Sequence, residues 1–68
     1  MEYNTYIKAV PETDIDKEML KILMEQPEET ESLEKYISEI VNSNYENMIY
    51  TNYKGINLIL ERITMTQS

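Results

Sequence analysis

Three residues punctuate this chain: Pro11, Pro27 and Gly55, the two prolines and the only glycine among its 68 residues. Proline cannot donate to a sheet ladder, and it biases the residue before it away from helical geometry. Glycine accepts the positive φ of a tight hairpin. Between these marks the apolar spacing changes period, and that change dictates the order of elements.

Residues 3 to 10, with Tyr3, Thr5, Ile7 and Ala9 on one face, are rich in aromatic and β-branched types and predict a strand that stops at Pro11. Thr13 stands three residues before Asp16, an acidic form of the capping box, so a first helix is expected from about residue 14 to Gln26, ended by Pro27. Leu33, Tyr36, Ile37, Ile40 and Val41 recur at i, i+3, i+4, i+7 and i+8 and predict a second helix. It is capped by Thr30 or opens on Pro27, and it stops within Asn42 to Asn44. From Tyr45 the pattern alternates again, with Tyr45, Ile49 and Thr51 on one side and Met48 and Tyr50 on the other. A turn over Asn52 to Gly55 leads into a third strand from Ile56 to about Met65. The expected fold is a single α+β domain over residues 1–68, in the order β-α-α-β-β, with a three-stranded antiparallel sheet packed against two helices.

Two elements carry more apolar surface than one core consumes. On a helical wheel Ile22, Ile15, Met19, Leu23, Leu20 and Met24 cover an arc of about 200°, whereas a helix with one buried side needs about 100°. In the third strand Ile56, Leu58 and Leu60 share one face, while Ile59, Ile63 and Met65 share the other. A homodimer that covers the second surface is expected, because a core this small gives marginal stability alone.

Charge is equally uneven. Residues 12 to 39 hold ten acids against three lysines and so account for the whole net charge of −7; the rest of the chain is balanced. Glu25, Glu28, Glu29, Glu31 and Glu34 lie within ten residues at the junction of the helices, and Glu12, Asp14, Asp16, Glu18 and Glu39 flank them. Helix-terminus placement and solubility explain part of this set. They do not explain the scarcity of interspersed bases, since unpaired like charges weaken a small fold. All ten are therefore candidate contacts for a basic partner.

Several chemistries are disfavoured. The chain has neither cysteine nor histidine, which removes disulfides, thiol nucleophiles, imidazole bases and the usual zinc ligands. Asp14-x-Asp16-x-Glu18 with Glu25 matches the spacing of a calcium loop, but Met19 occupies the position that needs glycine, and the same residues form a helical pattern. Paired carboxylates suited to glycoside hydrolysis arise by chance among thirteen acids. No enzyme activity, metal or cofactor is expected. Of the six tyrosines, Tyr36 belongs to the helix stripe; Tyr3, Tyr6, Tyr45, Tyr50 and Tyr53 are candidates for an interface. An acidic surface repels nucleic acid and anionic lipid, so neither is an expected partner. No signal peptide or long apolar run is evident, which points to the cytoplasm. The abundance of residues with AT-rich codons points to a low-GC bacterium or its phage.

In size, acidity and simple α+β pattern the chain resembles the phage-encoded DNA-mimic inhibitors of host DNA-binding proteins. That resemblance covers composition along the whole chain and includes no sequence motif. It implies a carboxylate array that occupies the Lys and Arg side chains of a basic protein and excludes the duplex, with an HU-type nucleoid protein as the favoured target in the host cytoplasm. The other reading open at this point is a small dimeric adaptor or transcription-associated regulator that binds through its apolar and tyrosine surface.

Overall fold

A computed structural model describes the backbone of residues 2–67 and the side chains of residues 5–65; the side chain of Tyr3 lies outside the described residues. The elements are β1 (Glu2–Pro11), α1 (Asp14–Met24), α2 (Pro27–Ser43), β2 (Met48–Tyr53) and β3 (Ile56–Gln67). The three strands form one antiparallel sheet in the order β1-β3-β2, as the β-α-α-β-β reading requires. The final strand is thus central. Pro11, which offers no N–H, ends an edge strand where its missing donor is tolerated.

Local chemistry explains the boundaries. Thr13 takes an extended N-cap conformation; its hydroxyl accepts from Asp16 N at 3.1 Å, and the Asp16 carboxylate accepts from Thr13 N at 3.1 Å. That reciprocal pair is the capping box. Helix α1 then ends at Met24, two residues before the expected Gln26, because Gln26 must extend (φ −104°, ψ 115°) ahead of Pro27. Gln26 becomes the N-cap of α2 with Pro27 as its first residue, which settles the start in favour of proline over Thr30. Thr30 spans the break instead, its hydroxyl donating to the carbonyls of Met24 and Gln26, both at 3.2 Å.

Strand β2 begins at Met48, three residues after the expected Tyr45. Asn44 Oδ1 accepts from Glu46 N at 2.9 Å, a local turn that keeps the chain from extending until it meets β3. Tyr45 is left 89% exposed. The β2–β3 connection is a two-residue turn, with Lys54 at φ 51° and Gly55 at φ 89°, bracketed by the Tyr53–Ile56 pair. Positive φ at both positions is the primed geometry that matches strand twist.

The core lies between the helices and one face of the sheet. Leu33, Tyr53, Ile56 and Leu58 form its buried centre, with Leu20, Leu23, Tyr36 and Ile37 packed around them. The rings of Tyr36 and Tyr53 stand 4.9 Å apart, and the Tyr36 hydroxyl donates to Asn52 O at 3.0 Å. Tyr53 is therefore a core residue, not an interface tyrosine. At the far end of α2, whose last turn has no base of its own, Arg62 Nη2 from β3 donates to the carbonyls of Val41 (3.1 Å) and Asn44 (2.8 Å). A cation there also complements the negative end of the helix dipole.

Candidate functional site

The acids follow from helix placement. Asp14 occupies the first turn of α1, and Glu28 and Glu29 the first turn of α2, where the positive helix ends favour them. Glu18, Glu31 and Glu39 lie further along the two helices, clear of the buried stripe; Glu34 borders the stripe, beside Ile7, Ile37 and Val41, and Glu12 and Glu25 stand just outside α1. Eight of the ten candidates, Glu12, Asp14, Glu18, Glu25, Glu28, Glu31, Glu34 and Glu39, are exposed.

The other two have different roles. Asp16 is only 4% exposed. Its carboxylate accepts from the Thr13 hydroxyl at 2.6 Å and from Thr13 N, and its second oxygen accepts from Asn57 N of β3 at 2.9 Å. The hydrogen bond from the Thr13 side chain, then the one from Asn57 N, hold its pKa below the ordinary 3.8 against the opposing effect of burial. Asp16 is thus withdrawn from the acidic surface; it fastens the start of α1 to the sheet. Glu29 is half-buried and pairs with Lys54 Nζ at 2.8 Å, a contact that holds the lysine pKa above its ordinary 10.5. Lys54 also sits 5.4 Å from the centre of the Tyr53 ring. This is the one ion pair among the described residues. Lys17, Lys21 and Lys35 are exposed and make none, so no direct ion pair among the described residues ties down the eight outward carboxylates.

A second surface was legible only as surplus. Of the wide apolar arc of α1, Leu20 and Leu23 reach the core, whereas Ile15 (72%), Ile22 (59%), Met24 (52%) and Met19 (39%) remain exposed. Met19 and Ile22 line a groove of about 400 Å³ that reaches Gln26, Lys54 and Ile56. The sheet repeats the pattern: its face away from the helices is bare and exposes Tyr6, Met48, Tyr50, Ile63 and Met65.

The residues of the calcium-like spacing lie largely within α1, where helical geometry spreads them, and among the described residues no cluster of three or more metal-ligating side chains exists. Nor does any described helix have the length and apolarity to cross a membrane. Comparison with protein-family models, curated proteins and solved structures finds no match to this chain.

Proposed function

We propose that the protein is an acidic DNA mimic that binds a basic DNA-binding protein and competitively blocks its DNA binding. One observation carries this reading: eight exposed carboxylates on and around the helical layer make no ion pair among the described residues. Such a surface offers Lys and Arg side chains the same chemistry as backbone phosphates. No enzymatic step is assigned to it. A host nucleoid protein of the HU type is the first target to test.

The test follows from the placement of the acids. Glu25, Glu28, Glu31 and Glu34 are replaced together by Gln, while Asp16, which serves the fold, and Glu29, which is already paired with Lys54, are kept. The expected result is loss of competition with DNA at unchanged stability; inhibition that persists would sink the mimic. Binding should also weaken steeply with salt.

A second reading, an adaptor or transcription-associated regulator, is favoured by the exposed Tyr6, Tyr45 and Tyr50 together with the bare sheet face. Partner binding that survives about 0.5 M salt, where the Debye length is only a few ångström, would select it over the mimic.

A further inference from the structure

We infer that the bare sheet face is where two copies of this chain associate, face to face, with both helical layers turned outward. The strand registers place Tyr6 beside Ile63, and Tyr50 and Val10 on either side of Ile59, all on the side away from the helices. Taking a large side chain as about 200 Å², the exposed fractions of Tyr6, Met48, Tyr50, Ile63 and Met65 amount to roughly 500 Å². That is near the top of what a monomer shows, about 300–600 Å². Two such patches bury at most about 1,000 Å², which only just reaches the threshold for a specific association.

Charge selects a second copy as the occupant. Two chains of net charge −7 repel each other, and contact through the helices would bring the acids within about a Debye length, roughly 8 Å. Across residues 5–65 the open sheet face carries one base and one acid, Lys8 and Glu61, adjacent in register, and no other charge. Stacking the two sheets about 10 Å apart puts the acidic layers roughly 30 Å from each other, several Debye lengths. A two-fold axis running along the strands midway between β1 and β3 sets Lys8 of each copy over Glu61 of the other, with β2 at the rim one strand spacing, about 5 Å, beyond the overlap and within reach of the long Tyr50 side chain. None of this depends on what the acids bind.

Sedimentation equilibrium of the full chain, from about 1 μM to about 1 mM, tests the inference. The expected mass is twice the 8.1 kDa protomer, with association undiminished by salt. The double variant Tyr50→Thr/Ile63→Thr, which keeps charge and strand propensity, should weaken association about tenfold or more, while Ile15→Thr/Ile22→Thr on α1 leaves it unchanged. Should the first variant unfold, a second pair decides: Lys8→Glu and Glu61→Lys chains, each weakly associating alone, should form a heterodimer on mixing. A wild-type chain that stays monomeric, a dimer indifferent to the sheet variants (as in pairing through the β1 edge), one broken by the α1 variants, or absence of preferential heterodimers overturns it.

Discussion

The two faces of β3 are built from the same residue types and meet opposite fates. Toward the helices, Ile56, Leu58 and Leu60 are at most 2% exposed; away from them, Ile63 and Met65 are 36% and 54% exposed. Composition does not separate the two sets. What separates them is that two helices are enough to cover one side of a three-stranded sheet. The same division runs through the acids, where Asp16 is spent on the fold and eight others are left outside it. One part of the molecule therefore answers to stability, and another is open to association.

The sharpest test of that division is Leu58→Ala, which empties a fully buried site and should cost about 3 kcal/mol or more, a large share of a small domain's stability. Ile63→Ala on the opposite face should cost less than about 1 kcal/mol when urea unfolding is followed at protein concentrations where the chain is monomeric. Similar losses at the two sites would erase the contrast. Arg62→Met is expected to cost about 2 kcal/mol by the same measurement, because the Val41 and Asn44 carbonyls lose a charged donor. Thr13→Ala removes a cap and should cost about 1 kcal/mol.

The acids are divided by pH. Since the pKa of Asp16 is lowered in the folded chain, its charged form stabilises the fold; that contribution is complete above 3.8 and is lost as pH falls through the depressed folded value. The stability difference between the wild type and Asp16→Asn should accordingly be flat above 3.8 and shrink below it. A difference unchanged at low pH would mean that the carboxylate charge is not what holds α1 to β3. The smallest effect is expected from Lys54→Met: a surface pair such as exposed Lys54 with half-buried Glu29 contributes little, and the melting temperature should hardly move.

Much of this arrangement was legible in the sequence because it is local. The stripe from Leu33 to Val41, the Thr13–Asp16 box and the turn at Gly55 each rest on residues a few positions apart, and the elements form where those signals lie. The misplacements are local as well: α1 stops early because Gln26 answers to Pro27, and β2 starts late because Asn44 turns the chain. Two facts could not be read. Asp16 is buried by a contact with Asn57, forty-one positions away, and Glu29 meets Lys54 twenty-five positions away. Spacing on a helical wheel contains neither. Conversely, the surplus apolar arc of α1 was visible from spacing alone, since no arrangement of one helix buries 200° of its surface against a single sheet.

The contact of Arg62 with the end of α2 has a bearing on how strand alignment is chosen. The chain has a single arginine, and its guanidinium reaches the Val41 and Asn44 carbonyls only from its present place in β3. A slip of β3 by one residue would turn that side chain to the opposite face of the sheet, and a slip of two would carry it about 7 Å along the strand axis. Either error leaves helix carbonyls without their donor. Arg62 thus acts as a proofreading contact: the hairpin and α2 are completed together in the correct alignment, and shifted alignments are penalised at a point remote from the turn that starts them.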